Sequence, residues 1–163
     1  MNHCNLRFVL FGLLMAVVPP ISATQPLADT LLVGNELGPI HPEKCCWLEL
    51  PRTERLFAAK RAEACSAIGG PVGRFELVDQ KIWLVGLSRC SGDMPLEQVY
   101  PEFGDRVHAD WLSGVFFARF SPMCTTPDGQ EVHRTVLRLE VDSGVVSSMQ
   151  RSELDDSLCG SAP

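Results

Sequence analysis

The sequence predicts an α+β domain, with one N-terminal helix packed on a curved, mostly antiparallel meander of about five strands and stapled by disulfides. Three observations predict it. A stretch of helix formers ends at Gly69-Gly70-Pro71, the segments after it carry strand periodicity, and six cysteines follow a leader-like N-terminus. With 163 residues, 45% hydrophobic, 21% charged and net charge −6, the chain has an ordinary composition for a folded soluble domain. It is too short for two ordinary domains and too apolar for disorder.

Residues 1–23 read as an export signal. One cation, Arg7, precedes an apolar run from Phe8 to Val18, then Pro19-Pro20, then Ile21-Ser22-Ala23 ending in the small residue that cleavage requires. The run falls well short of the roughly 20 residues that span a bilayer, so no membrane span is expected in the mature chain. Residues 24–44 carry prolines at 26, 39 and 42 and no periodicity, and read as an extended lead into a single domain over 45–163. No Asn-x-Ser/Thr sequon occurs, and arginine exceeds lysine eleven to three; a periplasmic or secreted location fits both.

The helix is expected from Pro51 to Ile68. Pro51 suits a first turn, five alanines lie between Arg52 and Ala67, and Phe57, Ala58, Ala64, Cys65 and Ile68 share one arc. The glycine pair then supplies the stop. Arg74–Asp79 alternates, with Phe75 and Leu77 on one side. Ile82–Ser88 is apolar on both faces, with Trp83, Val85 and Leu87 opposite Ile82 and Leu84. Leu112–Phe120 sets Phe116, Ala118 and Phe120 on one face. Glu131–Val141 turns Leu137, Leu139 and Val141 inward, and Asp142-Ser143-Gly144 returns the chain as a hairpin through Val145–Gln150. Because two of these strands are apolar on both faces, a small, partly open barrel is the second arrangement the pattern allows.

After the leader the cysteines are Cys45, Cys46, Cys65, Cys90, Cys124 and Cys159. An even number in an exported chain reads as three disulfides. Cys45 and Cys46, being adjacent, would reach in different directions. A Cys90–Cys124 bridge is expected, because each of the two follows an apolar strand; Cys65 and Cys159 are then left for the vicinal pair. His41 close to Cys45-Cys46 lacks the ligand spacing of a zinc site, and no Cys-x-x-Cys occurs for redox or haem chemistry. No metal and no cofactor is expected.

The acidic balance, without any basic run, argues against nucleic acid as a partner. Nucleophile-elbow, metalloprotease, phosphate-loop and dinucleotide signatures are all missing. What remains is the excursion from Ser91 to Trp111, longer than most connections in a compact domain. Tyr100, Glu102, Phe103, Asp105, His108, Asp110 and Trp111 make it the candidate binding surface, with a plain cover over the sheet as the competing role. Asp93 is expected to cap a short helix within it. The favoured function is a non-catalytic binding module, an inhibitor or immunity-type protein, whose acidic surface would steer it to a basic protein partner. The alternatives are a small hydrolase using His108 with Asp105 or Asp110 (or Glu102 with Asp110) and a structural envelope component.

Overall fold

Hydrophobic alternation dominates the chain and strands dominate the fold. The computed structural model describes residues 27–44, 47–63 and 70–159. Strands β1 (Thr30–Val33) and β2 (Glu36–Pro42) come first, followed by helix α1 (Glu54–Ala62). Then come β3 (Val72–Val78), β4 (Lys81–Arg89), the short β5 (Gly92–Met94) and β6 (Val107–His108), and the long β7 (Gly114–Thr125), β8 (Glu131–Asp142) and β9 (Val145–Glu153).

The expected α+β meander is thus replaced by a mostly β, mixed sheet of nine strands with a single α-helix among the described residues. The pairing order β3-β1-β2-β7-β8-β9-β4, with β3 also paired to β4, returns on itself. Closure between β9 and β4 is narrow: one pair, Lys81 with Val145, flanked by Ile82 N donating to Gly144 O and Val146 N to Gln80 O at 2.8 and 2.7 Å. β1 lies parallel to β3, and all other joints are antiparallel.

Two physical reasons account for the difference. First, the presumed extended lead is a hairpin inside the sheet. Gly34, at φ +60°, holds the first position of a two-residue turn between Val33 and Glu36, as a type II′ turn needs. Pro39 sits where β2 exchanges its partner β1 for β7, so its missing N–H interrupts neither ladder. Second, α1 is only nine residues long. Thr53, not Pro51, begins it, its hydroxyl accepting from Leu56 N at 3.0 Å. Glu63 ends it in extended conformation and accepts from Cys90 N at 3.0 Å. Leu56 is its buried residue, whereas Phe57 is exposed, so the anticipated apolar arc does not face the core. The rest of that arc, with residues 64–69, lies outside the described residues.

The later strands follow their periodicity closely. Phe116, Ala118 and Phe120 are buried on β7, and Leu137, Leu139 and Val141 on β8. In β4 a bulge intervenes: Arg74 faces Gly86 and Phe75 faces Leu84, leaving Val85 unmatched. The extra residue moves Leu87 to the same side as Ile82 and Leu84, and all three are fully buried. At the β8–β9 turn Ser143 and Gly144 both take positive φ, as a type I′ turn requires. On β2, a Cβ at Gly38 would lie 1.8 Å from Arg119 O, so only glycine lets β2 rest this close to β7.

Candidate functional site

Residues 47–52 adopt no regular structure, yet side chains from two distant parts of the chain hold them in place. Asp29, 1% exposed, takes Leu48 N on one carboxylate oxygen at 2.7 Å and Gly73 N on the other at 2.6 Å. Trp111 Nε1 donates to Glu49 O at 2.7 Å, and the Tyr100 hydroxyl donates to Pro51 O at 2.8 Å. Thr53, at the end of the segment, starts α1. An irregular segment normally leaves backbone groups to water and moves freely; here the Glu49 and Pro51 carbonyls and the Leu48 amide are engaged, which lowers the entropy cost of presenting a surface.

The pins carry an electrostatic signature. Burial pushes the Asp29 carboxyl above its ordinary range, partly offset by the Leu48 and Gly73 amides and by the charge of Lys60. Burial, then the nearby Glu102 carboxylate, pushes the Tyr100 phenol well above its usual value, so it stays a donor.

The candidate binding residues of the 91–111 excursion divide into two groups. Tyr100 is 0% exposed and belongs to the core, a correction to its expected place on a contact surface. Phe103 stacks on it at 5.5 Å between ring centroids and packs against the core. Trp111 is half-buried and acts as a pin. The excursion is laid along β4: β5 pairs Met94 with Leu87, β6 pairs His108 with Trp83, and Leu96, Val99 and Ala109 are buried beneath it. Asp93 caps no helix; it sits in β5, ion-paired to Arg74 at 2.5 Å, and the helical turn that follows is a 3-10 turn at Leu96–Gln98 without a side-chain cap. Glu102, Asp105 and Asp110 are exposed.

The expected Cys90–Cys124 bridge is not formed. Cys124 bonds Cys159, with Cα atoms 5.5 Å apart. The pairing register explains why: β9 returns along β8 as far as Thr135 opposite Glu153, and Leu154 N donates to Arg134 O, which delivers the tail to the β7–β8 hairpin. Cys90 is disulfide-bonded as well, but not to Cys124. Cys45, Cys46 and Cys65 lie outside the described residues.

Two grooves flank the pinned segment. The larger, about 540 Å³, is lined by Leu50, Pro51, Phe103, Val107 and Trp111, with His108, Glu49, Arg52 and Asp110 supplying polar groups. The other, about 360 Å³, lies against α1. Its walls include Trp47 and Phe57, which are 43% and 41% exposed, and the cations Arg52 and Lys60; Asp29 lies at its floor. Sequence reasoning missed Trp47, Arg52, Phe57 and Lys60. The available signal was a tryptophan directly after a vicinal cysteine pair and before Leu50-Pro51.

For acid–base chemistry the arrangement is poor. His108 and Asp110 border the same groove and Asp105 does not. The His108 Nε2 atom is buried without a hydrogen-bond partner and faces the β8–β9 turn, 2.9 Å from where a Cβ on Gly144 would sit. Its ring lies 5.4 Å from that of Trp83, which also carries the Arg106 guanidinium 4.7 Å from its centroid. Among the described residues no carboxylate hydrogen-bonds to the imidazole. His41 stacks on Phe117 at 5.8 Å and donates from Nδ1 to Pro42 O at 3.1 Å. No helix among the described residues is long and apolar enough to cross a membrane. No protein-family model, curated protein or solved structure matches the chain.

Proposed function

We propose that this chain is an exported, disulfide-stabilised module that binds another protein without catalysing a reaction, as an inhibitor or immunity-type protein does. The observation that carries the reading is the pinned segment 47–52. Three side chains, Asp29, Tyr100 and Trp111, act on its backbone and hold an irregular stretch rigid between two grooves. Rigid irregular surface on a sheet scaffold is how binding proteins limit the entropy lost on association. The leader-like residues 1–23 and the Cys124–Cys159 bond support an oxidising, exported setting.

The larger groove is the contact for a basic partner. Phe103, Leu50 and Trp111 offer apolar area, the carboxylates Glu49 and Asp110 outnumber the one lining cation, Arg52, and Glu102 and Asp105 lie exposed on the excursion that forms one wall. A lysine or arginine side chain has the matching shape, an apolar stem ending in a cation. The test is photo-cross-linking of the mature chain in native extract, comparing wild type with Phe103→Ala/Asp110→Lys after circular dichroism has shown both folded. One defined adduct, lost in the double variant, is expected. Identical adducts at equal yield would remove this groove as the contact.

A further inference from the structure

We propose that the outer edge of β9 takes up one extended segment of a partner protein as an added antiparallel strand, with an apolar side chain of that segment entering the pocket beside Met149. The inference rests on the protein-binding reading and adds a second contact, none of whose residues lines either groove.

The pairing pattern shows which backbone groups are free. β9 pairs with β8 along its length but with β4 only through Lys81 and Val145, and the last contact on that side is Val146 N donating to Gln80 O. Leu154 N donates to Arg134 O, and antiparallel ladders alternate, so Ser152, Gln150 and Ser148 are the residues that bond to β8. Met149, Arg151 and Glu153 lie between them, opposite Leu139, Leu137 and Thr135, and turn their N–H and C=O groups away from β8. Among the described residues nothing bonds to those six groups, and every residue from Met149 to Glu153 is exposed.

The chemistry of this edge selects its occupant. Three donor–acceptor pairs repeat at about 7 Å, on every second residue, which is the repeat of an extended chain. Free strand edges are commonly guarded by charge. Here Arg151 is held by Glu36 at 2.6 Å and by Glu153 at 3.3 Å, so the charges are engaged with one another and the backbone decides. A second copy of the chain fits poorly. Two-fold pairing over Met149–Glu153 centres on Arg151 and sets the two arginines directly opposite, which is unfavourable, and sliding either way leaves only two of the three residues in the ladder. A pocket of about 210 Å³ opens where the edge begins, walled by Leu77, Val146 and Met149 with Gln80 beside them. Met149 is 56% exposed although it lies on the same side as the fully buried Leu139, and an apolar side chain from the added strand would cover it.

The test uses a blocked Val-Thr-Val-Thr-Val pentapeptide and the same peptide N-methylated on its three valines, each titrated into the intact protein with amide exchange followed by NMR. In the free protein the amides of Met149, Arg151 and Glu153 should exchange about tenfold faster, or more, than those of Ser148, Gln150 and Ser152. The first peptide should give saturable shifts along β9 and at Leu77 and slow those three amides. The methylated peptide, which keeps the side chains and loses the donors, should do neither. Met149→Lys should weaken the first peptide about tenfold. Three outcomes overturn the proposal: equal binding of both peptides, no saturable shift into the millimolar range, or protection of the three amides in the free protein, whether constant or rising with concentration as a second copy would cause. If one of these is found while Phe103→Ala/Asp110→Lys still abolishes the cross-linked adduct, only the β9 contact has failed and the protein-binding reading stands.

Discussion

Replacing Asp29 with alanine tests whether segment 47–52 is held as described. The substitution removes both acceptors at once, leaving Leu48 N and Gly73 N with no partner at a position 1% exposed. Each stranded buried donor costs roughly 1–3 kcal/mol, so the loss should total about 2–6 kcal/mol. Removing a carboxylate that is costly to bury offsets part of this, which favours the lower half of that range. Domains of this size have about 5–15 kcal/mol to lose, so a large fall in the denaturation midpoint follows, read by guanidinium unfolding with disulfides intact. Asp29→Asn separates geometry from charge. A protonated carboxyl still offers lone pairs on both oxygens, but an amide nitrogen offers none, so the asparagine variant should lose about 1–3 kcal/mol through one stranded donor. Because the folded-state value of Asp29 is raised, the folded protein holds this proton to higher pH than the unfolded chain does. Its contribution is complete below the ordinary aspartate range and declines as pH rises through the folded value. The gap between wild type and Asp29→Asn should therefore be widest in acid and narrow toward neutrality. An alanine variant within about 0.5 kcal/mol of wild type would refute the pinning argument.

Other perturbations separate scaffold from surface. Tyr100→Phe should lose about 1 kcal/mol with its hydrogen bond to Pro51 O, and Tyr100→Ala about 3–5 kcal/mol as a core cavity; equal small effects in thermal melts would return Tyr100 to the surface. Cys124→Ser/Cys159→Ser opens a loop with a sequence separation of 35 and should cost about 4 kcal/mol in chemical denaturation. Gly144→Ala forces φ +74° on a residue with a side chain, about 1–2 kcal/mol, and drives its Cβ to 2.6 Å from Ala109 O. A clear drop in melting temperature is expected, and an unchanged one would mean that the turn and the 91–111 excursion do not touch.

Periodicity exposed the long strands because each buries one face through many consecutive residues. Leu137, Leu139 and Val141 are inward in both the pattern and the fold, and Ser143-Gly144 forms the turn its composition implies. Strands of four residues leave too little alternation to read. β1 shows only Leu31 fully buried, and β2 is masked by prolines that matter less than usual because Pro39 stands where the strand changes partners. The β4 bulge defeats alternation in another way. A strict two-residue period puts Leu87 opposite Leu84, and the one unmatched residue, Val85, cancels that.

The candidate site was harder to read because its parts are joined across sequence distances that no local pattern records. Asp29 reaches Leu48 and Gly73, Tyr100 reaches Pro51, and Trp111 reaches Glu49, spans of 19, 44, 49 and 62 residues. Aromatic residues in a long acidic excursion looked like a contact surface, since tyrosine and tryptophan serve both at interfaces and wherever a polar tip must find a partner beneath apolar cover. Here the second use takes Tyr100 and Trp111. Their hydroxyl and indole N–H are turned back onto the backbone of segment 47–52, which in turn carries Trp47 outward. The excursion therefore both holds segment 47–52 from behind and forms one wall of the larger groove. Substitutions at Tyr100 or Trp111 should consequently weaken binding by loosening segment 47–52, with amide exchange there rising in step, whereas Asp110→Lys should weaken binding with exchange unchanged.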